Sequence, residues 1–311
     1  MDDLIPTAQL RLQGLGNREI SRRVSAGELT RVLRGHYLCS VPDEQALHLQ
    51  RALSCPDQVL ALESAALVHG LPISQLPELV QVIMHGAGRS RTRGVKRVTS
   101  APLPAAHITE VNGARLTTVA RTVVDITRTR GLEPGLVAWE AARWRAREAK
   151  LLDRFDAETG EAIELLSGRR GVQRARIALA SASSRSQSPM ETRSLIRIRE
   201  LRLPTPVQQY SVVDQDGSWL GTTDFAWPEL GVLGEYDGQD KYDSLARPGE
   251  TPVQVMRREK RRQESMEAVG WVFARWGKEE VRRPAALRAR IEAAMKVAAS
   301  RVGRPLPGVE R

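Results

Sequence analysis

The sequence is poor in cysteine and has no long hydrophobic run. Its 311 residues include two cysteines, Cys39 and Cys55, which are too few for a disulfide framework or a thiolate zinc cluster. No segment approaches the roughly 18 consecutive apolar residues that a membrane-spanning helix needs. The amino terminus carries Asp2 and Asp3 instead of the basic and then apolar residues of a signal peptide. We therefore expect a cytoplasmic protein that makes no contact with a membrane.

Motifs of several common enzyme classes are also missing. The sequence has no glycine-rich phosphate loop, Ser-His-Asp set or zinc motif, so we expect no small-molecule cofactor. Basic residues are abundant instead: 47 Lys and Arg oppose 37 Asp and Glu, for a formal net charge of +10. A positive surface gains affinity for polyanions by releasing condensed counterions. This charge favours a nucleic acid partner, and an arginine content that serves only solubility is the alternative.

The length predicts about two folded domains, and the fold class expected is a combination of α/β and α+β. A serine-rich stretch, 181–188, is predicted as a linker. Residues 1–42 before it contain two short helical patterns and a hairpin, and residues 43–180 form a mixed α/β middle region. Residues 189–311 follow as a further domain.

Residues 1–42 have the outline of a winged helix-turn-helix. A glycine-containing turn at 14–16 separates two short helices. Asn17 is a favourable N-cap for the second helix, 18–26. Two strand-like runs then flank a tight turn, as in a hairpin wing: 29–33 and 36–38. In the middle region, apolar patterns predict helices over 44–54, 58–69, 134–150 and 153–166, a strand over 79–85, a basic loop or hairpin over 89–96, and a turn entering a helix over 116–125.

The carboxyl-terminal region has the predicted order α-β-β-β-α-β-α, which gives a mixed sheet flanked by helices. Pro189 stands in the first turn of the opening helix. The predicted elements are a helix over 189–201, strands over 207–213, 219–227 and 232–236, a helix over 253–269, a strand over 271–275 and a final helix from 283.

Three carboxylates stand on or beside these strands. Glu235 and Asp237 are two residues apart and therefore point to the same face of one strand, and a neighbouring strand brings Asp224 beside them. Carboxylates that converge repel one another unless a cation lies among them. Because Mg²⁺ prefers such oxygen ligands, we predict a divalent-metal site, for Mg²⁺ or Mn²⁺, at this place.

Further residues of this region recur in a recognisable order: Glu191 on the first helix, Gln208 on the first strand, Asp224-Phe225, Glu235-Tyr236-Asp237-Gly238, Lys241-Tyr242, Glu259-Lys260-Arg261-Arg262, Gly270-Trp271 and Arg275-Trp276. On these residues, the segment from Glu191 to about Val281 resembles the PD-(D/E)XK nuclease superfamily. Within it, the segment is most similar to the very-short-patch-repair-like endonuclease domain.

The resemblance implies metal-dependent hydrolysis of a phosphodiester. Asp224 and Glu235 would hold the metal, and Glu191 would join through the metal or a water. Gln208 would orient the phosphate. The superfamily usually has lysine at the third signature position, where this sequence has Asp237. The missing cation is then expected from one of three basic residues further along the chain: Lys241, Lys260 or Arg262.

The amino-terminal half resembles AbiEi-type antitoxins and related regulators. The likeness rests on Gly27-Glu28-Leu29, on the run from Val32 to Tyr37, on the run from Glu63 to Pro72 and on the run from Thr117 to Asp125. It implies DNA as a partner and a cognate toxin as a possible second one. Arg18, Arg22 and Arg23 would face DNA, with Arg31 and Arg34 as wing residues on phosphates. The alternative is an amphipathic helix whose arginines are only solvated.

Two functional hypotheses follow from these patterns. In the first, the protein is a Mg²⁺-dependent endonuclease that its amino-terminal half directs to DNA. In the second, it is a non-catalytic DNA-binding regulator or type IV antitoxin with a degenerate nuclease fold. Asp224 and Glu235 favour the enzyme, and Asp237 at the usual lysine position favours the regulator. Ordinary explanations exist for single residues, since Asp237-Gly238 is a common turn and Glu259 has helical charge partners.

Overall fold

The computed structural model describes residues 4–33, 35–39, 42–54, 58–85, 91–93, 96–238, 250–301 and 309–310. The chain divides into two compact units, Met1–Ala182 and Ser183–Arg311, and this division falls inside the serine-rich stretch 181–188. Both units mix helices and strands, with three sheets in the described part. The expectation of a mixed α/β protein is confirmed at this level. None of the described helices is both long and apolar enough to cross a membrane.

The first unit begins with a small three-stranded sheet, order β1-β3-β2, packed against two helices. Its elements are β1 Ile5–Pro6, α1 Thr7–Leu12, α2 Asn17–Ser25, β2 Thr30–Leu33 and β3 His36–Leu38. The predicted helix, turn, helix and hairpin are present, whereas β1 was not predicted. Asn17 is not the N-cap of α2 but its first residue, and its side chain accepts a hydrogen bond from Arg11 Nη2 at 3.1 Å. A small core of buried side chains holds these elements together: Leu10, Ile20, Leu29 and Tyr37.

A six-stranded sheet, order β6-β7-β5-β4-β9-β8, forms the middle of the first unit. Its elements are α3 Glu44–Leu53, β4 Val59–Leu60, α4 Leu62–Val68, β5 Val80–His85, β6 Arg91–Arg93, β7 Lys96–Ala101, β8 Ile108–Val111 and β9 Ala114–Thr117. The helix predicted over 58–69 is wrong at its start, because the buried Val59 and Leu60 pair with β5 and β9 in the centre of the sheet. The basic hairpin is confirmed as β6 and β7.

Four helices complete the first unit: α5 Val119–Arg130, α6 Leu132–Glu148, α7 Leu152–Leu165 and α8 Val172–Ser181. The Thr118 side chain caps α5 by accepting a hydrogen bond from the Arg121 backbone N–H. The helix α8 was not predicted, because its alanine-rich sequence carries a weak amphipathic signal.

The second unit contains a five-stranded sheet, order β13-β12-β11-β10-β14, in which β12 and β13 run parallel. Its elements are α9 Pro189–Glu200, β10 Val207–Val213, β11 Trp219–Trp227, β12 Val232–Tyr236, α10 Pro252–Ala268, β13 Val272–Trp276, α11 Lys278–Arg282, α12 Pro284–Ser300 and β14 Val309–Glu310. The three strands β10, β11 and β12 have the predicted bounds. The short α11 and β14 were not predicted.

Two hydrophobic cores flank this sheet. On one face, Phe225, Trp227 and Trp276 pack with Ile198 of α9 and Ile291 of α12. On the other face, Leu233 and Ala226 pack with Met266 of α10. Because side chains alternate along a strand, the residues next to Phe225 and Tyr236 face α10. Asp224 and Glu235 are these residues.

Candidate functional site

The structure brings Asp224 and Glu235 together on adjacent strands. The antiparallel register pairs Phe225 with Gly234, so the next step along β11 and β12 places Asp224 opposite Glu235. The backbone N–H of Tyr236 donates a hydrogen bond to Asp224 Oδ2 at 2.9 Å. This bond fixes the Asp224 carboxylate beside the end of β12.

Two arginines bind the carboxylate of Glu235, which is only 4% exposed. Arg262 Nη2 of α10 lies 2.7 Å from Oε1, and Arg275 Nη2 of β13 lies 2.7 Å from Oε2. Arg275 is the register partner of Glu235 on the parallel strand, which explains its approach. Buried charges are stable only when they are paired and hydrogen-bonded. We call Glu235, Arg262, Arg275 and the neighbouring Glu259 the Glu235 cluster.

Arg262 reaches the sheet through a gap that a glycine leaves. Its Nε donates to Glu259 Oε2 at 2.9 Å and its Nη1 to the Thr222 carbonyl at 3.3 Å. A Cβ atom on Gly221 would lie 3.0 Å from Arg262 Cδ and 2.6 Å from Met266 Cε, so a larger residue there would displace the side chains of Arg262 and Met266. Burial by itself lowers the pKa of Arg262, but the charges of Glu235 and Glu259 outweigh it and raise that pKa.

Arg275 is the second cation of the cluster. Its guanidinium carbon lies 5.1 Å from the centroid of the Phe273 ring, a distance at which cations and aromatic faces attract. Its buried Nε has no hydrogen-bond partner among the described residues. Arg275 was part of the sequence resemblance, but no role was predicted for it.

Asp237 does not join the carboxylate pair. It is exposed, and its backbone N–H donates to the Trp276 carbonyl at 2.8 Å where β12 ends. In the described part of the chain, no three His, Cys, Asp or Glu side chains are grouped so that they could hold a metal ion. The predicted trio of carboxylates is therefore reduced to the pair Asp224 and Glu235.

The predicted sources of a cation differ in their position. Lys241 lies outside the described residues. Lys260 is exposed and pairs with Glu264 at 3.8 Å, one turn along the outer side of α10. Arg262 is the candidate that contacts Glu235.

Glu191 and Gln208 lie near β10 but bind different partners. Glu191 is buried, and its Oε2 accepts hydrogen bonds from the Gln187 backbone N–H at 2.9 Å and from Gln209 Nε2 at 3.1 Å. Gln208 Nε2 instead donates to Ser186 Oγ at 2.9 Å. The serine-rich stretch predicted as a linker is thus packed into the second unit at Ser186, which is 2% exposed.

Gln209 is a site residue that the sequence did not reveal. The register of β10 and β11 places it opposite Asp224, between the pairs Gln208–Phe225 and Tyr210–Thr223. Its backbone has φ of +52°, a left-handed value that reverses the usual alternation of side chains. From the sequence, either Gln208 or Gln209 could contact Glu191. The backbone distortion at Gln209 makes Gln209 the partner.

The predicted DNA-facing arginines of α2 are only partly available. Arg22 and Arg23 both pair with Glu19, at 2.8 and 3.1 Å, and lie near Glu28. Hydrogen bonds from Arg22 and Arg23 lower the pKa of Glu19 to about 2. Arg18 and Arg31 are exposed and have no side-chain partner among the described residues. Arg34 lies outside the described residues.

No protein-family model matches this chain. Two proteins of Mycobacterium tuberculosis are similar to it: Uncharacterized protein MT2308 of strain CDC 1551 / Oshkosh and Uncharacterized protein Rv2248 of strain ATCC 25618 / H37Rv. Each is 28% identical over 284 residues, which cover 88% of this chain and 95% of the relative. The similarity therefore extends over both compact units.

Proposed function

We propose that this protein binds DNA and that its second unit hydrolyses phosphodiester bonds with the aid of a divalent metal ion, Mg²⁺ or Mn²⁺. The single observation that supports this most is the hydrogen bond from the Tyr236 N–H to Asp224 Oδ2. It holds one carboxylate beside a second, buried carboxylate, Glu235, next to two arginines. Acidic and basic groups at one place suit the binding of a metal and a phosphate together.

The two carboxylates fit a magnesium-type ion. Mg²⁺ is commonly held by one or two carboxylates together with water and substrate phosphates. Asp224 and Glu235 are therefore enough carboxylates for such a site without Asp237. A carboxylate has about four lone-pair sites, so its two guanidinium hydrogen bonds do not by themselves prevent Glu235 from binding a metal. Asp224 and Glu235 would hold the ion, which would supply a Lewis acid and a water of lowered pKa.

The charges of the cluster favour phosphate only when a metal is bound. The Glu235 cluster has two negative and two positive charges, and Asp224 beside it adds one negative charge. Arg258, which lies 3.6 Å from Glu259, also pairs with Glu250, and this second pair adds no net charge. The group is therefore negative by one charge. A divalent ion reverses this sign. Arg262 and Arg275 then provide the charge stabilisation that the superfamily obtains from lysine, and Arg275 is added to the candidates for that cation.

The first unit supplies DNA binding in this proposal. Its first elements have the order of a winged helix-turn-helix, in which the second helix contacts the major groove and the hairpin contacts the backbone. Arg18 on α2 and Arg31 on β2 are the exposed arginines of these two elements that have no carboxylate partner among the described residues. A cognate toxin remains a proposed partner of the amino-terminal half.

The test of this function is incubation of the purified full chain with supercoiled plasmid DNA. We expect nicking or cutting with Mg²⁺ or Mn²⁺ and none with EDTA. RNA and single-stranded DNA should be offered in parallel, because the site contacts a phosphodiester and not a base. A preparation that binds Mn²⁺ but cuts none of these substrates would contradict the enzymatic function.

The second candidate is a DNA-binding regulator or antitoxin without catalysis. The observation that favours it is the pairing of both Glu235 oxygens with guanidinium groups, which neutralises the carboxylate without a metal. In that case, DNA binding should be the same in Mn²⁺ and in EDTA.

A further inference from the structure

A cavity of about 290 Å³ lies in the first unit, between α4, β5, α5 and the loop that precedes β5. Most of its wall is apolar: Pro72, Ile73, Leu76, Pro77, Ile126 and Pro134. Five polar residues also line it: Glu63, Ser74, Gln75, Gln81 and Arg130. A concave, mainly apolar site with a few converging polar groups is typical of small-ligand binding.

Gln81 presents an unpartnered donor to this cavity. The residue is 4% exposed, and its Oε1 accepts a hydrogen bond from the Ser64 backbone N–H at 3.3 Å. Because a backbone N–H can only donate, the amide oxygen faces Ser64 and the Nε2 group faces away from it. Nε2 has no hydrogen-bond partner among the described residues.

The position of Gln81 is fixed by its neighbours. Its backbone N–H donates to Ser64 Oγ at 2.9 Å, and the same hydroxyl lies 2.9 Å from His48 Nε2. Both Ser64 and His48 are buried. A donor held in this way is preorganised for an acceptor that enters the cavity.

The second polar contribution is a bidentate ion pair. Arg130 Nε and Nη2 donate to Glu63 Oε1 and Oε2 at 2.5 and 3.0 Å. Arg130 Nη1 has no partner among the described residues. The cavity therefore offers unmatched donors on Gln81 and Arg130, while both oxygens of Glu63 already accept hydrogen bonds.

We propose that this cavity binds a small monocarboxylate with a branched or cyclic hydrocarbon body. One carboxylate oxygen would accept a hydrogen bond from Gln81 Nε2 and the other from Arg130 Nη1, and the hydrocarbon body would lie against the apolar wall. An alcohol has a single, neutral oxygen and would bind these two donors less strongly than a carboxylate. The site lies entirely in the first unit, so it is independent of the phosphodiester chemistry proposed for the second.

The test is calorimetric titration of the full chain with two probes, benzoate and 4-methylpentanoate. Benzyl alcohol and 4-methylpentanol are the matched ligands without a carboxylate, and acetate is the matched ligand without the apolar body. We expect saturable binding of both probes and at least about tenfold weaker binding of the three comparison ligands, which corresponds to one lost charged hydrogen bond or apolar contact. Equal binding of acids and alcohols, or no saturation with either acid, would overturn the proposal.

Two variants locate the site. Gln81→Leu and Arg130→Lys should each weaken benzoate binding about tenfold. Gln75→Leu is the control, because Gln75 lines the same cavity but is not one of the two proposed donors, and the affinity of this variant for benzoate should equal that of wild type. Arg130→Lys keeps the positive charge beside Glu63. If Gln81→Leu does not fold, the benzoate affinity of Arg130→Lys alone tests the proposal. Unchanged affinity in Arg130→Lys would contradict the assigned contacts.

Discussion

Glu235 was predicted as a metal ligand, and in the structure its carboxylate is bound by two arginines. Its sequence context, an acidic residue near the end of a buried strand, predicted a metal ligand. The structure adds two arginines from elements that lie 27 and 40 residues away in the chain. Those contacts depend on the parallel pairing of β12 with β13 and on the space at Gly221, and neither can be derived from local sequence. The proximity of Asp224 and Glu235 could therefore be predicted from the sequence. Of their cationic partners, Arg262 was among the predicted candidates and Arg275 was not.

Replacing Glu235 by glutamine removes the charge that both arginines share. Arg262 and Arg275 would remain close together without the carboxylate that both contact, so we expect Glu235→Gln to lower the free energy of unfolding by about 2 kcal/mol. The measurement is urea denaturation without metal. The control is Glu279→Gln, which breaks the exposed pair with Arg282 and should change stability by less than about 0.5 kcal/mol. Equal effects of the two changes would mean that the cluster is not held by its charges.

Apolar periodicity predicted most of the helices and strands. The elements that were predicted wrongly have identifiable physical causes. The strands β10 to β12 alternate clearly and have the predicted bounds. The strand β4 is two residues long and directly precedes a helix, so its apolar residues were assigned to that helix. At Gln209, a left-handed φ in the middle of β10 changes which glutamine meets Glu191. Local pattern contains no information on such a distortion.

Helix α5 is organised around a buried ion-pair group. Arg121 is fully buried and donates from Nε to Asp125 Oδ2 at 2.8 Å, and Arg128 Nη2 lies 3.2 Å from Asp125 Oδ1. Asp125→Asn would leave two buried guanidinium groups without a counter-charge. We expect a loss of about 3–5 kcal/mol in unfolding free energy, measured by urea denaturation. The surface change Glu158→Gln, which breaks an exposed helical pair with Arg154, is the control and should cost about 0.5 kcal/mol or less.

Helix α2 and strand β2 allow a test of the DNA-binding surface. Arg22 and Arg23 already have carboxylate partners, whereas Arg18 and Arg31 do not. We expect Arg18→Ala and Arg31→Ala each to reduce the slope of log affinity against log salt by about 0.9, the value for one phosphate contact. Arg22→Ala should change it less.

These slopes are measured by fluorescence anisotropy with a duplex in EDTA, which prevents cleavage. If Arg22→Ala has the larger effect, its pairing with Glu19 does not persist on DNA. If none of the three changes alters the slope, the footprint lies elsewhere, and the exposed Arg97 on β7 is the next position to replace.

For the molecule as a whole, two compact units with separate cores imply two separable sources of stability. Three of the five histidines of the first unit have pKa values that burial lowers below the ordinary value of 6.5: His48, His69 and His107. His69 Nε2 lies 2.8 Å from the Thr117 carbonyl, so its ring is packed against β9. The folded state therefore favours neutral imidazoles.

A pH dependence of stability follows from these shifts. Below pH 6.5 the unfolded chain binds protons on these histidines before the folded chain does, so stability is complete above about pH 7 and falls as the pH drops. The loss is at most about 1.4 kcal/mol per histidine for each pH unit. Thermal or urea unfolding of the full chain between pH 7.5 and 5.5 measures it. His69→Gln should reduce this dependence, and a flat profile in wild type would contradict the account.

The central claim is that Asp224 and Glu235 form a site for phosphodiester hydrolysis, and contaminating nucleases are the main obstacle to testing it. The most direct measurement is the rate of plasmid nicking in Mn²⁺ by Asp224→Asn and by Asp216→Asn, purified in the same way. Asp216 is an exposed aspartate in the turn between β10 and β11, so its variant undergoes the same chemical change away from the site. We predict that Asp216→Asn nicks at the wild-type rate and that Asp224→Asn loses activity by about 10²-fold or more. Equal rates of nicking in the two variants, or none in either, would contradict the assignment of this site.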